Sequence, residues 1–209
     1  AASRCGTNTD TKRIRADVQD PRDTENEASM KNFLKLGTIA LLAGILAGAV
    51  VPDAALAQTQ QRVEAIKDWS IFQAGAEGQK VCWIVSQPTR TAAFRKGRSV
   101  SVNRGDIFLM ISIRPADGVS NEVSFLSGYP FKKGSEVKAL VGSKKFTLFT
   151  EGENAWAPSA KDDAAMVDAF RRGAKAKLEG FSSRGTKTVD TFSLSGFTAA
   201  LEAAAGLCK

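Results

Sequence analysis

From residue 58 onward the sequence predicts a mainly β domain, a β-sandwich with two short helices. Three observations carry this. The apolar segments are about 5 to 8 residues long, as strands usually are, and Gly, Pro and Ser close them. Only two stretches carry helical spacing. Two cysteines, Cys82 and Cys208, stand far enough apart to close the whole domain, which is long enough to bury a core.

The elements follow in order. Residues 58–67 are a polar lead-in, and 69–73 form the first strand, closed near Gly75 and Gly78. The strand at 81–86 is stopped by Pro88. The stretch 95–104 is basic, with alternation in Ser99-Val100-Ser101-Val102. Residues 106–113 are an almost unbroken apolar run, as in a central strand buried on both faces. In 119–126, Val123 and Phe125 point inward before the Gly128-Tyr129-Pro130 turn. Strands at 136–141 and 144–150 flank Gly142-Ser143, a two-residue hairpin turn. Ser159 caps a helix with Asp162 and Asp163 in its first turn. Met166, Val167 and Phe170 form its inner stripe and Gly173 ends it. Strands at 175–181 and 186–194 follow; in the first, Ala176 and Leu178 alternate with Lys175, Lys177 and Glu179. Ser195 caps the last helix, where Phe197, Ala200, Leu201 and Ala204 share one face and Gly206 ends the run. Trp83, beside Cys82, is expected in the core, as are Trp69 and Trp156.

The N-terminal part reads differently. Met30, Lys31 and Lys35 open an apolar run from Leu36 to Val51. Pro52 ends it, and Ala55-Leu56-Ala57 places a signal-peptidase site between Ala57 and Gln58. Residues 30–57 are therefore a signal peptide and 58–209 the single exported domain. Residues 1–29 form a polar leader without apolar period. It reads as a start taken too early; the alternative is a cytoplasmic tail before an uncleaved anchor, for which the apolar run falls short of the roughly 20 residues a span needs.

Charge and residue types limit the chemistry. The first 57 residues carry as many cations as carboxylates, so the net charge of +7 belongs to the exported domain. Such a domain meets anionic partners: lipid headgroups, acidic glycans or nucleic acid; the bland alternative is solubility alone. The chain has no histidine. Triads with a histidine base and histidine-ligated metal sites are excluded. In an oxidising compartment Cys82 and Cys208 read as one disulfide. No cofactor is expected.

The motifs Asp68-Trp69, Cys82-Trp83-Ile84-Val85-Ser86-Gln87-Pro88, Arg104-Gly105-Asp106, Ser127-Gly128-Tyr129-Pro130-Phe131, Leu148-Phe149-Thr150-Glu151-Gly152-Glu153, Ser183-Arg184-Gly185-Thr186 and Asp190-Thr191-Phe192-Ser193-Leu194-Ser195-Gly196-Phe197 run through nearly the whole domain. Together they resemble the invasion-associated locus B family of exported alphaproteobacterial proteins. The resemblance implies an immunoglobulin-like β-sandwich in the periplasm or outer envelope. It implies no catalytic residues, and it ties some members to host-cell entry.

Candidate site residues are basic. Arg90, Arg95, Lys96, Arg98 and Arg104 surround Phe94, as an anion-binding stretch or as an edge strand protected by positive charge. Lys132, Lys133, Lys144 and Lys145 flank two turns, either sharing one end of the sandwich or simply solvated. If the two basic clusters face the same way, anion binding is the better reading. Few aromatics interleave, which argues against nucleic acid. Glu151 and Glu153 share a face in extended chain, as a hydrolase or cation site would need, or as a carboxylate pair held by Arg184. Arg184 has Asp190 as its other candidate partner. The sequence thus points to a periplasmic, non-catalytic binding protein, monomeric or weakly oligomeric, with an anionic envelope or host component as partner. A carboxylate-dependent hydrolase acting on envelope glycans and a chaperone-like module that binds strand edges are the alternatives.

Overall fold

The computed structural model describes residues 60–209; the expected leader, signal peptide and cleavage site lie outside the described residues. Twelve strands and two helices follow one another as β1 (Gln61–Ile66), β2 (Trp69–Ala74), β3 (Val81–Ser86), β4 (Arg90–Arg95), β5 (Arg98–Ser99), β6 (Phe108–Arg114), β7 (Val119–Leu126), β8 (Glu136–Val141), β9 (Lys144–Glu151), β10 (Asn154–Trp156), α1 (Ala160–Arg172), β11 (Lys175–Phe181), β12 (Lys187–Ser193) and α2 (Phe197–Leu207). The strands form one antiparallel sheet in the order β1-β2-β3-β6-β7-β10-β9-β8-β11-β12-β4-β5. No described helix is long and apolar enough to cross a membrane.

The sheet closes on itself into two layers. Phe125 of β7 and Phe192 of β12 are five strand steps apart in the hydrogen-bonded order. On a flat sheet they would lie about 24 Å apart, yet their rings meet edge-on at 6.0 Å. One core results, drawing Ile71, Ile84 and Ile111 from one layer and Val137, Leu178 and Phe192 from the other. The helices add Met166, Phe170, Phe197 and Leu201 to it. Trp69 is fully buried against Phe197, and its indole N–H donates to the Ser193 carbonyl at 3.2 Å. The Cys82–Cys208 disulfide ties β3 to the residue after α2, across a separation of 126 residues.

The helix at 160–172 and the hairpin at Gly142-Ser143 form as their sequence signals require. Ser159 Oγ accepts from the Asp162 N–H, Gly173 ends α1, and Val141 pairs with Lys144 across the two-residue turn. Other expectations change. Residues 61–66 are a strand despite their polarity, because β1 is an exposed edge that buries almost nothing. Arg90–Arg95 and Asn154–Trp156 are additional strands, whereas the Ser99–Val102 alternation yields strand only at Arg98–Ser99. The run over 106–113 buries Leu109, Ile111 and Ile113 on one face and leaves Phe108, Met110 and Ser112 half-buried on the other. Trp83 points away from the core because its neighbour Cys82 points in, and strand side chains alternate. It stacks on Phe72 at 5.6 Å instead. Gly196, not Ser195, begins α2: its backbone is left-handed at φ 89°, and a Cβ there would collide with the Ile66 carbonyl.

Closing so long a loop lowers the entropy of the unfolded chain, by up to about 5 kcal/mol in the chain-entropy view. Cys82→Ser is therefore expected to lower Tm by at least about 5 °C. A reductant should lower the wild-type Tm in the same way and leave the variant's unchanged, which a thermal melt measures directly.

Candidate anion-binding face

The motifs scattered along the sequence converge first on a buried polar knot. Arg104 lies in the segment between β5 and β6, and Asp190 in β12. Arg104 Nη1 and Nη2 donate to the two Asp190 carboxylate oxygens at 2.7 and 2.8 Å. Nε and Nη2 also donate to the Ser127 carbonyl, at 3.0 and 2.6 Å. The carboxylate is fully buried and the guanidinium nearly so. Burial pushes the Asp190 carboxyl above its ordinary value, and the Arg104 bonds pull it back. The Tyr129 ring lies 4.9 Å beneath the guanidinium, and its hydroxyl shares a 2.6 Å hydrogen bond with Thr188. Burial raises the Tyr129 hydroxyl in turn. Gly128 makes the knot possible. A Cβ at this left-handed position would strike the Gly105 carbonyl, whose own N–H donates to the Gly128 carbonyl at 2.9 Å.

Above the knot lies a polar cleft of about 510 Å³ whose lining includes Arg95, Arg184, Glu153 and Ser182. Arg95 Nη2 donates to Thr186 Oγ1 at 2.8 Å. Arg184 is exposed and forms none of the ion pairs among the described residues. The expected partners for it are therefore corrected: Asp190 is taken by Arg104, and Glu151 and Glu153 do not share a face. Gly152, at φ 57°, sits with Glu153 in the two-residue turn between β9 and β10. That turn sends Glu153 to the Arg184 cleft and Glu151 to a groove beside Phe149 and Trp156. A two-carboxylate centre at these residues is not assembled. Arg104 likewise is no surface anion site, since it is nearly buried and four of its five N–H donors are bonded inside the fold.

The other cations assemble on a sheet face. Opposite residues in antiparallel strands point to the same side. Lys145 pairs with Leu140, Leu140 with Lys177, Lys177 with Thr191, and Thr191 with Arg90. One row across β9, β8, β11, β12 and β4 therefore carries three cations. The next row holds Lys138 and Glu179, and a further row aligns Phe181, Lys187, Phe94 and Ser99. Lys175 extends the face beside Ser193. Against Arg90, Lys138, Lys145, Lys175, Lys177 and Lys187 stand Glu136, Glu151 and Glu179 on the outward side of these strands, and Lys187 pairs with Glu179 at 3.2 Å. Arg90, Lys138, Lys145, Lys175 and Lys177 are exposed and form no ion pair among the described residues.

The turn lysines sit at opposite ends of this face. The Lys132 N–H donates to the Phe181 carbonyl at 2.9 Å, so Lys132 and Lys133 stand where β11 ends. Lys144 and Lys145 stand where β11 begins, since Val141 pairs with Ala176. Lys96 and Arg98 lie at the tip of the β4–β5 hairpin, beside the Lys132 end. Sequence reasoning named Arg90 and Lys145 but missed Lys138, Lys175 and Lys177, and with them the row that joins these residues. The Lys175, Lys177, Glu179 alternation was the available signal.

The family model for "Invasion associated locus B (IalB) protein" matches residues 69–205. The chain belongs to this family. Among solved structures, this family member is similar to invasion associated protein B from Bartonella henselae, with 21% identity and a TM-score of 0.46 over 69% of this chain and 96% of that one. A search of curated protein sequences finds no match.

Two predictions follow from the buried groups. Asp190→Asn strands the Arg104 charge in the interior and is expected to cost about 3 to 5 kcal/mol. Replacing Arg104 and Asp190 together by Leu should cost less than the sum of the single changes, as a denaturant double-mutant cycle measures. Asp163, in the first turn of α1, accepts from the Val123 N–H at 2.8 Å. Burial first, then the Glu122 and Asp162 charges, raise its carboxyl above 3.8, while the Val123 bond opposes. The folded state thus keeps a proton that the unfolded chain loses just above pH 3.8, and this stability disappears as pH rises through the folded value. Asp163→Asn can keep the Val123 bond and should flatten that decline, giving a Tm at neutral pH equal to or above wild type.

Proposed function

We propose that this chain is an exported, periplasmic binding protein of the invasion-associated locus B family that works without catalysis. Its basic sheet face captures an anionic envelope or host-surface component. The observation that carries this reading is the row structure of β9, β8, β11, β12 and β4, which gathers cations from separate stretches of sequence onto one side. Unpaired cations on such a face raise the local concentration of anionic partners and speed their encounter. The separation of Glu151 from Glu153 removes the arrangement on which a hydrolase reading rested.

The experiment is salt elution from an immobilised sulfated polysaccharide. Wild type is expected to be retained at low salt and released as screening increases. Lys175→Glu with Lys177→Glu should elute at clearly lower salt, whereas Arg62→Glu, on β1, should elute as wild type does. Equal elution of the lysine variant and wild type would sink the reading.

A further inference from the structure

We propose that the basic face docks on an anionic lipid bilayer, with Phe181 entering the boundary between headgroups and acyl chains. This rests on the reading of that face as the binding surface and adds the class of partner.

The first argument is shape. The cations spread over β9, β8, β11, β12 and β4, a width of about 20 Å at ordinary strand spacing. A small anion would engage one or two of them. An extended surface of negative charge engages all, and each cation close to such a surface adds to the attraction.

The second argument is the apolar group among the charges. Phe181 ends β11 on this face and is 38% exposed. It shares a row with Lys187 and Phe94, and Lys187 Nζ sits 5.7 Å over the Phe94 ring. Phe94, Phe181, Lys96 and Lys187 line a shallow groove of about 290 Å³ between the β4–β5 tip and the β11–β12 turn. Lys132 reaches the same place through its bond to the Phe181 carbonyl. An exposed aromatic ringed by long cationic side chains suits an interface, where the ring is buried and the ammonium groups stay among the headgroups. A hydrophilic polysaccharide supplies charge but nothing to cover the ring.

The third argument is what the face lacks. Its carboxylates are Glu136, Glu151 and Glu179, and Glu179 is already paired with Lys187. Its six cations outnumber them two to one, so the face as a whole attracts an anionic surface.

Vesicle sedimentation tests this. The protein is mixed at low salt with vesicles of phosphatidylcholine alone, or of phosphatidylcholine and phosphatidylglycerol in equal parts. Sedimentation is expected with the phosphatidylglycerol vesicles only. Lys175→Glu with Lys177→Glu should weaken it by more than about 25-fold, from about fivefold per neutralised charge. Phe181→Thr keeps every charge and should weaken vesicle binding roughly tenfold while leaving polysaccharide elution and Tm as in wild type. Polysaccharide retention without vesicle binding would overturn the lipid partner and leave the basic face standing. Equal vesicle binding by Phe181→Thr and wild type would overturn the entry of the ring. Binding of neither ligand would remove both readings.

Discussion

The buried bridge between Arg104 and Asp190 is the constraint around which one end of the sandwich is arranged. Two charges removed from water carry a desolvation cost of several kcal/mol each, which only close geometry and further hydrogen bonds offset. The surroundings supply those bonds. The two-pronged contact uses both carboxylate oxygens, and the remaining guanidinium donors reach the Ser127 carbonyl. Ser127 Oγ in turn donates to the Tyr129 and Glu153 carbonyls, which holds the chain where Arg104 needs it. Gly105 and Gly128 cross at a distance that permits no Cβ on Gly128. The motif residues are thus explained as structure. Arg104-Gly105, Ser127-Gly128-Tyr129 and Asp190 are distant in sequence and build a single polar knot that joins β12 to the segments before β6 and after β7.

A knot of this kind has a consequence for binding. Four of the five Arg104 N–H donors are bonded within the fold, which leaves this buried cation little to offer a ligand. Arg114 is spent too, on Glu122 and Asp117, and Arg171 on Glu202. What remains on the sheet face for an anionic partner is a set of lysines with Arg90, on strands whose other side is committed to the core. Their arrangement is a by-product of the strand period: Ala176 and Leu178 must face inward, so Lys175 and Lys177 must face out. The sheet order then places β8 and β12 on either side of β11 and brings Lys145 and Arg90 into line with Lys177, with Lys138 in the next row.

This explains what could be seen in the sequence and what could not. Local signals held up: the Ser159 cap, Gly173, the Gly142-Ser143 hairpin and the inward pair Val123 and Phe125 all sit where residue chemistry puts them. The Cys82–Cys208 bridge followed from two thiols in one domain. The signals that failed were those where burial was inferred from residue type alone. Trp83 looks like core but shares a strand with an inward Cys82. Gln61–Ile66 looks like loop but completes a sheet edge, where polarity is no obstacle. Partner choice over long separations was beyond reach: nothing local distinguishes Arg104 from Arg184 as the mate of Asp190. The difference is that the Gly105–Gly128 crossing draws one inward while the β11–β12 turn leaves the other outside.

The outer faces of the two layers consequently differ in kind. The layer of β2, β3 and β6 turns Phe72, Trp83, Val85 and Met110 outward around a groove of about 860 Å³, with polar residues at its margin. The layer of β8, β11, β12 and β4 turns out lysines. A domain whose net charge served solubility alone would gain most from cations interspersed with carboxylates over its whole surface. Here Arg90, Lys138, Lys145, Lys175 and Lys177, exposed and without ion pairs among the described residues, share one face with an aromatic residue at its edge, against Glu136, Glu151 and the paired Glu179. Like charges at this spacing repel each other in the isolated protein. The repulsion is relieved when an anionic surface covers them, so the same lysines that weaken the unliganded fold strengthen its attachment to a partner.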